Sequence, residues 1–468
     1  MNTEEGDSGP RVAVLNIVGL CQRHLGKNMP KLAAYARADG RKEQLIRPVL
    51  PALTCSAQAT YLTGKAPSDH GIVGNGWYDR DLQEHHFWKQ SNHLVKGEKI
   101  WESVKRKRKN FRCANLFWWY NMHSSVDFSI TPRPLYASDG NKIFDIHSQP
   151  MGIREEIKRE LGEFPFPSFW GPRAGFESSR WIADSAQWIE QKHAPELSLV
   201  YLPHLDYDLQ RYGPNDSRIE PALQQIDTLA GELIDFYSKQ GVQVVILSEY
   251  GITETNNVVY PNRVFRHQGW LSLKQEFNGE TLDCGGSRVF ALTDHQICHV
   301  YLQDRSESFR NKVLHILESM DGVGQILEGE TRIQAGLNHE RAGDFVLLAK
   351  EDAWFAYYYW EDDNQAPEFA RCIDIHRKYG YDPAELFIDP NISFPSLRVA
   401  SKLVAKKLGF RIHMDIIPLD PTLVQGSHGI IPQDPIDWPL IFGPGIQSKE
   451  DSFESTEVHT LLKNLLSG

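Results

Sequence analysis

The apolar residues of this chain fall into short dense runs separated by stretches of helical period. Arg11–Val18 (RVAVLNIV), Leu197–Leu202 (LSLVYL) and Val242–Leu247 (VQVVIL) are nearly continuous in Val, Ile and Leu. A strand buried on both faces has that pattern, because neither side needs a polar residue. Between these runs, Met29–Asp39, Glu177–Lys192 and Glu220–Gln240 are expected as helices. Gln44–Leu50 and Cys113–Trp119 read as further strands, and Ile100–Lys107 as a helix. The repeated strand-then-helix order predicts an α/β fold with a doubly wound, mostly parallel central sheet flanked by helices. In such a sheet the chemistry gathers just past the carboxyl ends of the strands.

The pattern changes twice. Pro132–Gly175 is rich in Pro, Gly and aromatic residues, with one helical piece near Ile153–Leu161, and is expected as loop and lid material over a site. Between 256 and 396, strand-like pieces at Val289–Leu292, His299–Leu302, Phe345–Ala349 and Phe355–Tyr359 surround a helix near Phe309–Met320. This reads as an inserted α+β cap. A helix then runs from Leu397 to Leu408, and Thr422–Pro444 rejoins the core. The expected organisation is a tail at 1–10, a core of 11–255 and 397–468, and a cap of 256–396.

Composition narrows the classes. The chain has 468 residues, of which 41% are hydrophobic, enough for a sizeable core. Its formal net charge of -11 argues against a protein that grips duplex nucleic acid, which needs a basic face. The one basic run, Lys105–Lys109, reads as a solvated helix end. Six scattered cysteines form no CxxC pair, and the N-terminus is acidic and polar rather than a secretory signal, so a reduced, cytoplasmic protein is expected. No apolar run reaches the roughly 18 residues of a membrane span.

The chemistry centres on Pro51–Asn75. Pro51 marks a turn, a helix is expected over about Ser56–Leu62, and Gly64 ends it. Thr54 stands at the loop-to-helix junction. A hydroxyl there has a helix N-terminus behind it, where free N–H groups and the dipole favour an anion. It is either a nucleophile or an ordinary N-cap.

Thr54, Thr63-Gly64 and the run Pro67–Asn75 (PSDHGIVGN) resemble, in order and spacing, the nucleophile segment of the type I phosphodiesterase/nucleotide pyrophosphatase family of the alkaline phosphatase superfamily. The resemblance covers about residues 11–120, 197–255 and 422–446. It implies an alkaline-phosphatase-like core and hydrolysis of phosphodiester, pyrophosphate or phosphonate bonds. It further implies Thr54 as nucleophile and metal ligand, and Asn75 as holder of a phosphoryl oxygen.

The resemblance also implies two zinc-type sites, and here the chain departs from the family. Val18 stands where the family has a first-strand Asp. Asp206 matches, but Gln210 replaces the His four residues on. Ser248-Glu249-Tyr250-Gly251 replaces Ser-Asp-His-Gly, keeping a carboxylate and losing the His. His428-Gly429 matches. Four of the seven positions, Thr54, Asp206, Glu249 and His428, keep a metal-binding type.

Three readings stay open. The site is rewired, with His204 and Asn16 joining Asp206, Glu249 and His428 around zinc or manganese, one or two ions, and Gln210 as a weak donor. Alternatively it is mononuclear, or the chemistry is lost and a non-catalytic ligand-binding or carrier protein remains. His204 is otherwise a hydrogen-bonded structural residue, two positions from Asp206 and so on its face if the two lie on a strand.

Further candidates for substrate contact are Trp119 and Tyr120, which stack a planar leaving group or pack the core. Arg211 and His376 are candidates for the anion. In the cap, Asp294–His299 and Asp374–Lys378 each carry polar groups at alternate positions, which suits a solvated sheet face or a contribution to the site. The expected partner is a phosphate- or phosphonate-containing small molecule.

Overall fold

The computed structural model describes residues 9–467 except 140, 278, 411, 448 and 449. Residues 1–8 of the expected tail lie outside that range. Nine strands form the central sheet: β1 (Val12–Ile17), β2 (Gln44–Arg47), β3 (Cys113–Leu116), β4 (Phe128–Pro132), β5 (Ile146–Gln149), β6 (Leu197–Leu202), β7 (Gln243–Leu247), β8 (Leu440–Phe442) and β9 (Ser452–Glu454). Their spatial order is β9-β2-β8-β7-β1-β6-β3-β4-β5. The five strands from β7 to β4 pair in parallel. Antiparallel pairings appear only outside that centre, at β8 and β5.

Every residue of β1 and β6 is buried, which is why the two runs lack polar alternation. Each fully buried Val, Leu or Ile there contributes roughly 1.5–3 kcal/mol relative to exposure. Helices α1 (Pro30–Arg37), α3 (Phe176–His193) and α5 (Glu220–Lys239) pack together, while α2 (Thr54–Thr63) and Ile100–Lys105 pack against Glu457–Ser467. These two groups are the flanking helical layers.

Pro132–Gly175 is not loop and lid alone. Ile146–Gln149 forms the edge strand β5, antiparallel to β4, and Gly152–Leu161 is a helix. The alternation of buried Ile146 and Ser148 spans only four residues, too short to stand out among the surrounding Pro and Gly.

The expected inserted segment carries a four-stranded antiparallel sheet of Val289–Asp294, Ile297–Leu302, Phe345–Ala349 and Val323–Leu327, in that spatial order. The helix Glu307–Glu318 packs on it through Phe309, Val313 and Leu317. Phe355–Tyr359 is strand only at its start, within Ala353–Phe355. Tyr357–Trp360 instead fill a separate aromatic cluster. Between the first two strands of the insertion, His295 turns the chain at φ 58°. The tip of this hairpin lies against Asn75 and His428.

Candidate active site at the carboxyl ends of the central strands

Thr54 is the first residue of α2, two positions earlier than the period suggests, because Leu53 is still extended and Thr54 already helical. All ten residues of α2 are buried, and Gly64 closes it at φ 67°, a conformation that favours glycine. The helix N-terminus therefore abuts the ends of β1, β6 and β7.

Register brings the next groups in. Asn16 of β1 lies opposite Leu247, the last residue of β7. The chain leaving β7 then places Glu249 within reach, and Asn16 donates from Nδ2 to Glu249 Oε1 at 2.5 Å. Gln58, one turn into α2, donates to the same oxygen.

Tyr250 takes the central place. Its hydroxyl is 3.2 Å from Thr54 Oγ1 and donates to Asp206 Oδ1 at 3.2 Å. Asp206 accepts from Gln210 Nε2 at 2.7 Å, and Gln210 Oε1 accepts from the Tyr381 hydroxyl at 2.9 Å. The Tyr381 ring stacks on His295 at 3.6 Å, His295 lies 3.9 Å from His428, and His428 stacks on Tyr250 at 3.6 Å. Six side chains thus close a loop beside Thr54.

Burial sets the electrostatics. Removal from water pushes Asp206 up to about 7 and Glu249 up to about 8, against hydrogen bonds that favour the charged forms. Burial thus favours the neutral form of both carboxyls and lessens the negative charge held beside Thr54. Burial also holds His428 well below its ordinary value. His428 Nδ1 lies 2.8 Å from the Ala52 carbonyl. A neutral ring donates from Nδ1 there and carries its lone pair on Nε2.

Asp294 and His295 join the site from the insertion. Asn75 donates from its backbone N to Asp294 Oδ2 at 2.8 Å and from Nδ2 to Asp294 Oδ1 at 3.1 Å. Asn75 Oδ1 accepts from the Cys55 N–H at 3.1 Å. Asn75 therefore ties the start of α2 to the insertion, using one of the two N–H donors of its amide. His295 Nδ1 lies 2.8 Å from Asp294 Oδ1, and burial again pushes Asp294 up to about 7. Gly429 lets the hairpin close in. A Cβ there would stand 3.1 Å from the Gln296 nitrogen, and Gln296 N donates to the His428 carbonyl.

Other expected positions fall elsewhere. His204 and Asp206 do not share a strand face, because both lie in the helix α4 (His204–Tyr212). Two residues on a helix diverge by about 200°, and His204 Nε2 is 2.8 Å from Gln225 Oε1 instead. Arg211 pairs with Asp208 and donates to the carbonyls of Leu386 and Ala174. His376 binds the Phe87 carbonyl and, with Arg377, lines a separate groove of about 630 Å³. Trp119 and Tyr120 pack in an apolar cluster with Cys55 and Trp77, which binds their rings to the core. Val18 is fully buried among apolar side chains.

The site residues do not fit a two-zinc centre. Val18 offers no donor, the Gln210 amide is engaged at both ends, and the Tyr250 hydroxyl joins Thr54 to Asp206 directly. Among the described residues no three His, Cys, Asp or Glu side chains converge as a metal-binding group. Glu249 Oε2, Asn16 Oδ1 and the Nε2 atoms of His295 and His428 are buried without a hydrogen-bond partner, but they do not form such a group.

The family model for type I phosphodiesterase / nucleotide pyrophosphatase matches residues 12–382. The chain belongs to this family. An uncharacterized pyrophosphatase/phosphodiesterase of Schizosaccharomyces pombe is 25% identical over 312 residues, 64% of this chain and 55% of that protein. Ectonucleotide pyrophosphatase/phosphodiesterase 1 of Saccharomyces cerevisiae is 24% identical over 440 residues, 89% of this chain and 50% of that protein. The chain thus spans about half the length of these relatives.

Among solved structures, phosphonoacetate hydrolase from Sinorhizobium meliloti in complex with phosphonoformate superposes with a TM-score of 0.61 at 14% identity, covering 98% of this chain and 96% of that one. Murine ectonucleotide pyrophosphatase/phosphodiesterase 5, an inactive variant in complex with AMP, gives 0.57 at 14% identity, covering 98% and 95%. These likenesses establish the alkaline-phosphatase-like fold for this member of the type I phosphodiesterase family.

Proposed function

We propose that this chain cleaves a phosphodiester, pyrophosphate or phosphonate bond of a small molecule, with the Thr54 hydroxyl as the attacking group. The observation that carries the reading is the line Thr54–Tyr250–Asp206 at the N-terminus of α2. As Thr54 Oγ1 bonds to phosphorus, its proton passes to the Tyr250 oxygen, and the Tyr250 proton passes to Asp206. The bond from phosphorus to the leaving group breaks, and Asp206 returns the proton to that group. Water then attacks the phosphothreonine and gives a proton to Asp206; the bond from phosphorus to the Thr54 oxygen breaks, and that oxygen regains a proton from Tyr250, which Asp206 reprotonates. The first turn of α2 supplies positive potential for the transferred group. Family membership and the AMP and phosphonoformate held by the two structural relatives support a phosphate- or phosphonate-containing substrate.

The divalent ion that the family resemblance implies is not carried into this scheme, because the donor set does not suit it. A second reading has one observation in its favour. Thr54 is only 3% exposed and Tyr250 2%, an enclosure that suits retention of an uncleaved ligand.

Turnover of a chromogenic aryl phosphodiester by the purified chain, with and without chelator, separates these readings. The expected result is turnover that survives the chelator and is lost in Thr54→Ala. Chelator-sensitive turnover restored by zinc or manganese would return the metal-dependent mechanism. No turnover, with calorimetric binding of AMP or phosphonoacetate, would establish the binding protein.

A further inference from the structure

Two lines of contact that support the site meet at Tyr381. Its hydroxyl donates to Gln210 Oε1 at 2.9 Å, and its ring stacks on His295 at 3.6 Å. Gln210 leads to Asp206, and His295 leads through His428 to Tyr250. Both lines end where the Tyr250 hydroxyl donates to Asp206 Oδ1.

Tyr381 is itself firmly held. Its backbone N donates to the Thr293 carbonyl at 2.9 Å, and the rings of Trp170 and Trp88 lie 5.3 and 6.2 Å from its own. Three residues earlier, at the end of the polar run Asp374–Lys378, Lys378 is fully buried, with Nζ 2.7 Å from both Asp382 Oδ2 and Glu385 Oε1. Glu385 also accepts from the Asp374 backbone N and from Trp170 Nε1, and Asp382 accepts from the Ala384 backbone N. A buried ionic cluster with its hydrogen bonds made is costly to break. It holds the chain from Asp374 to Glu385 in one arrangement, with Tyr381 inside it.

The need for such an anchor follows from the torsions involved. A carboxylate has a broad range about its last side-chain bond, so whatever grips Asp206 Oδ2 also aims Oδ1. Gln210 Nε2 grips it, at 2.7 Å. The Gln210 side chain has rotatable bonds of its own to be fixed. Where the family resemblance implies an imidazole on a metal, the Tyr381 hydroxyl holds the far end of this amide instead.

We propose that Tyr381 is a positioning residue of the Thr54 site, setting the Asp206 carboxylate through the Gln210 amide. Its effect on rate rests on the relay from Thr54 to Asp206; its effect on geometry does not.

Tyr381→Phe keeps the ring on His295 and loses only the hydroxyl. Its kcat for a chromogenic aryl phosphodiester is expected to fall ~10-fold, with KM within about twofold of the unaltered value. Gln210→Leu is expected to lower kcat at least as far, and the double variant no further than Gln210→Leu alone, because the hydroxyl acts through that amide. An unchanged kcat in Tyr381→Phe, or two losses that multiply in the double variant, would overturn the proposal. A crystal structure of Tyr381→Phe reads the geometry whether or not the unaltered chain turns over substrate. The expected result is an Asp206 carboxylate turned so that Oδ1 leaves the Tyr250 hydroxyl. Asp206 left in place would overturn the proposal, whereas a turned Asp206 in a chain without turnover would uphold it and sink only the hydrolytic reading.

Discussion

Tyr250 lies flat on His428, with ring centroids 3.6 Å apart and planes within 6° of parallel. The stack fixes the phenol so that its hydroxyl stands between Thr54 Oγ1 and Asp206 Oδ1. The family resemblance implies an imidazole ligand at this position. Here a residue that cannot replace that ligand instead connects two others.

Removing only the hydroxyl separates this connection from the stack. Tyr250→Phe keeps the ring on His428 and loses two hydrogen bonds, at a stability cost of about 1 kcal/mol each. The relay predicts a fall in kcat of at least ~10²-fold with little change in KM. Because Asp206 must be ionised to receive the proton, turnover of the unaltered chain is expected to rise as pH passes about 7. Steady-state kinetics across pH provide the measurement, and an unchanged kcat in Tyr250→Phe would remove Tyr250 from the mechanism.

Asp294 makes a different kind of contribution. It accepts both the backbone N–H and the side-chain amide of Asn75, and Asn75 in turn holds the first turn of α2. Asp294→Ala leaves both Asn75 donors, and His295 Nδ1 beside them, without their carboxylate partner, which costs roughly 2–4 kcal/mol. Asp294→Asn keeps one acceptor oxygen and is expected to cost about half as much. Urea denaturation midpoints measure both, and no loss in Asp294→Ala would show that the insertion does not brace α2.

Most of the central sheet was legible in the sequence because its inner strands are buried on both faces and therefore continuous in Val, Ile and Leu. The same pattern located the ends of β1, β6 and β7, and with them Asn16, Asp206 and Glu249. The contribution of Asp294 and His295 was not legible as more than a pair of polar residues on an inserted strand. Their proximity to Asn75 comes from a hairpin turn at His295 and from the glycine after His428, which are tertiary events without a local period. His204 was misplaced for the opposite reason. The chain after β6 turns at Pro203 into a helix at once, so two-residue spacing ceased to mean a shared face.

The three raised carboxyls give stability a definite pH dependence. Asp206, Asp294 and Glu249 titrate near 7, 7 and 8 in the folded chain, against 3.8, 3.8 and 4.5 as their ordinary values. At these three positions, between about pH 4 and 8, the folded state holds protons that the unfolded state has released. Their contribution to stability is therefore greatest below the unfolded values and is lost as pH rises through the folded ones. Buried histidines held below their ordinary value, among them His70, His295, His299 and His428, act in the opposite sense, their contribution growing as pH rises through about 6.5. A comparison isolates the carboxyls: Glu249→Gln lacks one raised group, so its melting temperature relative to the unaltered chain is expected to increase from about pH 5.5 to about pH 8. A difference between the two that stayed constant over this interval would show that Glu249 is not raised in the folded chain.

The departures from the family can be reversed one ligand position at a time. Val18→Asp, Gln210→His, Glu249→Asp and Tyr250→His together restore the seven-position pattern around Thr54, Asp206 and His428. Tyr250→His also breaks the Thr54–Tyr250–Asp206 line and opens the space between those two oxygens. The unaltered chain is expected to show no stoichiometric zinc by elemental analysis and no change in melting temperature with chelator. The fourfold variant is expected to bind zinc and to gain several degrees from it, as a ligand that binds only the folded state must stabilise that state. Val18→Asp places a carboxylate in an apolar core, so the apo variant should be less stable than the parent until metal arrives. Stoichiometric zinc in the unaltered chain would show that Glu249, His428 and Asp206 rearrange around an ion in solution, and the metal-free relay would then be abandoned.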